Sequence, residues 1–178
     1  MVRKIVGFIL SLVLGLGNLL SFTSAVNAEE AGKIWLNDDN TVTYTTINDA
    51  VAAGHTGDII RVSGTFDTTN TAFRDAVVNN DMTLEFVGDT VILSDNSLQH
   101  GLTIASGSHI KTVNGSTLTM KGFNTALNLQ VGSEMNDGFY VFENNEQVSL
   151  NGYINGSARE NLVVNVTSNS FSRLYNDN

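Results

Sequence analysis

Residues Thr45–Phe66 read TTINDAVAAGHTGDIIRVSGTF, and this stretch decides the fold. Ile47, Ala50, Val51 and Gly54 fall at i, i+3, i+4 and i+7, one face of a helix. Thr46 is placed to cap the helix N-terminus, and Asp49, three residues on, completes an approximate capping box. Gly54 is placed to stop it. Two turns of helix are not stable alone, so the segment must lie against a neighbour. The next apolar element is Asp58–Val62, with Ile59, Ile60 and Val62. Between the two, Asp58 is expected to accept hydrogen bonds from turn amides, and His55 to face solvent.

Working outward, Lys33–Leu36 and Thr41–Tyr44 read as two short strands around the polar turn Asn37–Asn40. Downstream, pairs with x-apolar-x-apolar spacing recur: Ile60/Val62, Leu84/Phe86, Leu102/Ile104, Leu127/Leu129, Val148/Leu150 and Val164/Val166. Steps between second members are 24, 18, 25, 21 and 16 residues, a mean of (166 − 62)/5, about 21. A weaker set lies between them: Val91/Leu93, Leu118/Met120 and Phe139/Val141. Period-2 pairs recurring at this distance fit a right-handed parallel β-helix, whose coils each contribute two or three short strands to a continuous core. A β-sandwich with two strands per period would leave a similar trace. The opening unit separates the two, because an open stack exposes unpaired backbone and a bare core cross-section at its end, and solenoid ends need caps.

The segment Thr45–Phe66 resembles the N-terminal cap and first coil of the pectin-lyase-like β-helix superfamily. There an Ile-x-x-Ala-Val helix is followed by Gly-Asp, an Ile-rich strand and Gly-x-Phe/Tyr. Ile47, Ala50, Val51, Gly57, Asp58, Ile60, Val62, Gly64 and Phe66 carry the match. The runs GSTLTMKGFNTALNL (Gly115–Leu129) and EMNDGFYVFEN (Glu134–Asn144) are similar to coils of bacterial adhesin-like surface proteins. The expected fold is all-β: a right-handed parallel β-helix with a short N-terminal capping helix, preceded by a signal-peptide helix. The expected organisation is a signal peptide at 1–28, N-terminal strands and capping helix at 29–57, and coils at 58–178, with the C-terminal coil continuing or pairing.

The leader is read from Arg3 and Lys4, the apolar run Ile5–Leu20 and the small-residue exit Val26-Asn27-Ala28, which predict cleavage after Ala28. No other apolar run approaches the length of a membrane span. Cleavage removes two of nine basic residues and none of the 18 acidic ones, so the mature charge becomes 7 − 18 = −11. Such a surface disfavours nucleic acid and anionic lipid and accepts uncharged glycans or cations. The chain has no Cys, so no disulfide staples this exported domain. It has no Pro, so reversals fall to Gly and to Asn, as at Asn79-Asn80, Asn114-Gly115 and Asn144-Asn145.

The superfamily's enzymes act on acidic polysaccharides. The resemblance implies either Ca²⁺ held by several carboxylates with a basic Arg or Lys, or two or three Asp residues for acid–base work. No complete set is visible. Asp38-Asp39 is a carboxylate pair that could take Ca²⁺, but it precedes the cap helix and reads first as a hydrophilic turn. Arg61 should point outward, toward an acidic sugar or toward a carboxylate one period later, Glu85. His55, His100 and His109 have no zinc-ligand spacing. Trp35, Tyr44, Tyr140 and Tyr153 could stack on sugar rings if they face outward, although alternation around Phe139-Tyr140 and Phe142 expects core positions too. The binding candidates are thus Trp35, Tyr44, Arg61, Tyr140 and Tyr153, with no cofactor beyond possible Ca²⁺. The expected function is a non-enzymatic, secreted or cell-surface, adhesin-like module that binds a glycan or a surface protein. The alternative is the N-terminal part of a polysaccharide lyase or glycoside hydrolase, its carboxylates lying beyond Asn178.

Overall fold

The computed structural model describes residues 30–154, apart from 70, 96–98 and 137, and the backbone of two further strands at 162–167 and 171–174. The leader read at 1–28 lies outside the described residues. The elements are β1 (Lys33–Leu36), α1 (Ile47–Ala53), β2 (Ile59–Phe66), β3 (Ala76–Val78), β4 (Thr83–Leu93), β5 (His100–Ile104), β6 (His109–Thr112), β7 (Thr117–Lys121), β8 (Thr125–Leu129), β9 (Glu134–Met135), β10 (Gly138–Glu143), β11 (Gln147–Leu150), β12 (Tyr153–Ile154), β13 (Leu162–Thr167) and β14 (Phe171–Leu174).

These strands wind into a parallel β-helix with three faces. The first face stacks the early half of β2, the early half of β4, β6, β9 and β12. The second stacks the late halves of β2 and β4 with β7, β10 and β13. The third stacks β3, β5, β8, β11 and β14. The long strands β2 and β4 turn the corner between the first two faces. At that corner in β2, Gly64 has φ +85°, and a Cβ there would lie 2.6 Å from the Glu30 carbonyl oxygen.

Inward residues stand in files, one member per coil. Ile60, Leu84, Ile110 and Met135 form one file on the first face. Phe66, Ile92, Met120 and Phe142 form another on the second, and Val78, Ile104, Leu129 and Leu150 a third. All are buried in one continuous cluster. The apolar pairs from Ile60/Val62 to Val148/Leu150, and Leu118/Met120, therefore point inward as expected. Val164 and Val166 lie in β13, whose side chains are outside the described residues. The unequal steps between pairs have a geometric reason: Ile60/Val62 and Leu84/Phe86 belong to the first face, the next three pairs to the third, and Val164/Val166 to the second. Within the first face the steps are regular, 84 − 60 = 24, 110 − 84 = 26 and 135 − 110 = 25.

Three expectations are corrected. Val91/Leu93 and Phe139/Val141 face outward; Thr90/Ile92 and Tyr140/Phe142 point inward. Val91-Ile92-Leu93 and Phe139–Phe142 are apolar throughout, so alternation gives them no phase; it comes from stacking on Leu118 and Met120. Thr41–Tyr44 is not a strand. The Asp39 carboxylate accepts the Thr41 N–H (3.1 Å) and hydroxyl (2.5 Å), folding the chain into a turn, and Val42 is left exposed.

The N-terminal end of the stack is closed on each face by a different device. β1 pairs antiparallel with β2 on the first face, Ile34 opposite Val62. Glu30 and Gly32 bond both backbone groups of Thr65 on the second, each at 2.8 Å. On the third, the Asn48 side chain of α1 binds the edge of β3, accepting the Val77 N–H (3.0 Å) and donating to the Asp75 carbonyl (3.3 Å). Ile47 and Ala50 of α1 are fully buried over the core. The helix has the full capping box read from Thr46 and Asp49. Gly54 ends it in an extended rather than left-handed conformation; a Cβ there would sit 2.4 Å from Met82 Cε. Asp58 accepts the His55 N–H at 2.8 Å, the turn role read for it, and a bond from Asn37 at 3.1 Å.

Candidate functional site

The aromatic candidates do not form a platform. Tyr140 is corrected outright: it is fully buried, and its hydroxyl donates toward the carbonyls of Ile110 (3.2 Å) and Asn136 (3.0 Å). An amphipathic ring suits this place, since its polar tip finds backbone acceptors on β6 of the preceding coil and at the corner after β9. Tyr44 is partly buried against the core, and its N–H bonds the Ile34 carbonyl at 2.9 Å. Trp35 is only 9% exposed, with Lys33 Nζ 5.5 Å from its ring centre. Tyr153 alone is open, 49% exposed on β12.

Arg61 takes the structural option. It faces outward on β2, in register with Glu85 on β4, which is in register with Lys111 on β6. Arg61 Nε lies 2.8 Å from Glu85 Oε1, and Lys111 Nζ lies 2.7 Å from Glu85 Oε2. Arg61 Nη1 also reaches Asp38 (2.5 Å) and the Asn37 carbonyl. Four charges thus alternate along the first face: Asp38, Arg61, Glu85 and Lys111. Burial works to raise the Glu85 pKa, but hydrogen bonds from Lys111 and Arg61 outweigh it and hold the carboxyl below its ordinary value. The Glu85 bond in turn raises Arg61. Further along the same face His109 Nδ1 lies 3.1 Å from Glu134 Oε2. Asp39 is held below its usual range by its Thr41 bonds, and its partner in sequence, Asp38, points to Arg61 instead. Among the described residues no three His, Cys, Asp or Glu side chains are grouped to hold a metal ion. Nor is any described helix long and apolar enough to cross a membrane.

The outward side of the third face is built differently. A groove of about 380 Å³ crosses β3, β5, β8 and β11. Two files of side chains line it. One runs Val77, Thr103, Asn128, Ser149; the other runs His100, Thr125, Gln147, with Asp75 at its head. The sequence makes this face concave. In β5 and β8 alternation breaks: Gly101-Leu102 and Ala126-Leu127 are consecutive buried residues. The register against β11 shifts at the same place, between Gln147 and Ser149. Extra residues of this kind bend a strand, and stacked in successive coils they bend the sheet. Position 101 must be glycine for this: a Cβ would lie 2.6 Å from the Ala126 carbonyl oxygen.

Ser149 is engaged by Asn151 (2.7 Å), and Thr125 by Asn124 (3.3 Å). Among the described residues, the side chains of Asp75, His100, Thr103, Asn128 and Gln147 make no hydrogen bond or ion pair. No Lys or Arg lines the groove. Sequence reading missed this site because it searched for aromatics and charge clusters; the signal was the doubled inward residue before an outward Thr or Asn in both β5 and β8. Compared with family models, characterised proteins and solved structures, the chain has no significant match.

Proposed function

We propose that this is a non-enzymatic, adhesin-like β-helix module that works outside the cell and binds a glycan or another surface partner through the third-face groove. The observation that carries this reading is the row of unengaged hydroxyl, amide and imidazole groups in a concave site. Exposed polar groups are ordinary; a file of them in a groove, held on rigid stacked strands, is what recognition of a polyhydroxylated ligand requires. The leader at 1–28 supports export. The cap and first coil support kinship with the pectin-lyase-like superfamily at the level of fold. The enzymatic alternative gains little, because Arg61 and Lys111, the outward bases of the first coils, are held by Glu85.

The test is adhesion. Purified residues 29–178 should bind immobilised surface glycans or whole-cell extracts, and Asn128→Ala with Gln147→Ala should weaken binding while circular dichroism stays unchanged. Retained binding in that double variant would reject the groove, and turnover of any polysaccharide would reject the non-enzymatic assignment.

A further inference from the structure

We infer that the groove takes an uncharged glycan strand lying across β3, β5, β8 and β11, along the stacking axis, with about one sugar unit per coil. This rests on the groove being the binding site proposed above and adds the ligand's class, direction and length. Direction comes from register. Thr103 and Asn128 are partners across neighbouring coils, as are His100, Thr125 and Gln147, so β5, β8 and β11 each present a polar pair in the same two files, and β3 presents Asp75 and Val77. The files run at right angles to the strands and repeat about every 4.8 Å, close to the length of one pyranose in an extended chain. A ligand running along a strand would meet one such pair; a ligand running along the axis meets one pair per coil.

Class comes from charge. Thr103, Asn128 and Gln147 can each donate and accept, which suits sugar hydroxyls. No cation lines the groove, and its one carboxylate, Asp75, has no neutralising partner among the described residues. The whole chain carries a formal charge of −9. Uronate or sulfated chains would enter against like charge, with no Arg or Lys to offset their desolvation. Polarity also varies along the files. Val77 is the exposed apolar member at the β3 end, where it offers a patch for the apolar face of a ring.

The test is calorimetry on residues 29–178 with neutral oligomers of glucose, mannose, galactose and N-acetylglucosamine, one to six units long, and with oligogalacturonates of the same lengths. Affinity for at least one neutral series should rise with each unit up to about four and then level, and should not change between low and high salt. Oligogalacturonates should not bind. Asn128→Ala should weaken the best neutral oligomer about three- to tenfold, the scale of one lost hydrogen bond, with unfolding unchanged. Neutral binding that levels at one unit, or oligogalacturonate binding that weakens with salt, would overturn the inference while leaving the groove as a binding site. Binding of none of the glycans, or binding indifferent to Asn128→Ala, would overturn both.

Discussion

The first and third faces are made by the same winding and present opposite surfaces. On the first, outward polar side chains satisfy one another from coil to coil: Asp38 to Arg61, Arg61 to Glu85, Glu85 to Lys111, His109 to Glu134. On the third, Thr103 and Asn128 are register partners in one file, and Gln147 stacks on Thr125 in the other, yet the side chains of Thr103, Asn128 and Gln147 do not bond. Register alone therefore does not decide whether a ladder closes on itself. Length and charge do. Arg, Glu and Lys reach across the gap between coils, and opposite signs reward it. Thr and Asn are short, and they sit on a bent sheet. One face supplies stability and the other keeps its hydrogen-bonding capacity for something else.

That contrast can be broken from its strong side first. Glu85→Ala removes the carboxylate between Arg61 and Lys111, leaving Arg61 with Asp38 alone, and should lower unfolding free energy by about 2–3 kcal/mol in denaturant titration. A loss under 1 kcal/mol would mean that the first-face ladder is ornamental. Gly101→Ala comes next. The new methyl group collides with the Ala126 carbonyl, with an expected loss of about 1–3 kcal/mol and a weaker groove, because the bend cannot be kept. Undiminished stability together with undiminished binding would show that the bend tolerates a side chain. Thr46→Ala removes the helix cap and should cost about 1 kcal/mol; since the helix holds the β3 edge through Asn48, hydrogen exchange at Val77 should rise with it. Asn128→Ala should change stability by no more than about 0.5 kcal/mol. A larger loss would mean that the third face is also structural.

Acid sharpens the same contrast. Glu85, Asp39 and Asp58 have native pKa values below their ordinary ones. A lowered native pKa adds stability above the unfolded value, and that stability is lost as pH falls through the native value. Unfolding free energy should thus be level near neutrality and fall below about pH 4.5, where unfolded carboxylates begin to titrate. In Glu85→Gln the fall should be shallower; an identical pH profile would remove Glu85 from the account.

The sequence made the winding legible because inward files demand apolar residues at period 2 and one strand in every coil repeats the demand. It made the lid legible because Thr46, Asp49 and Ile47 form a local motif whose partners lie within a few residues. It also offered the Arg61–Glu85 pair, because their separation of 24 equals one coil. The rest depended on three-dimensional neighbours. Phe139-Tyr140-Val141-Phe142 contains no polar residue to set its phase, and only Leu118 and Met120 fix which members turn in. Tyr140 was therefore read as a surface candidate and lies in the core. The groove was hidden for a related reason: it is written in a break of alternation, Gly101-Leu102 and Ala126-Leu127, which along one strand looks like noise and gains meaning only when the two strands are stacked.

The reversed sense of β1 has a consequence for self-association. A parallel stack can in principle grow as a filament, the last coil of one molecule templating the first coil of the next. On the first face the leading edge is occupied by a strand running the other way, and the segment returning through Tyr44 crosses behind it to bond Ile34. The Ile34 carbonyl on that edge is therefore already taken, and a newcomer strand would have to displace Tyr44 to reach it. The first face thus carries a guarded edge at this pole, where end-to-end stacking of coils would first cost the Tyr44–Ile34 bond.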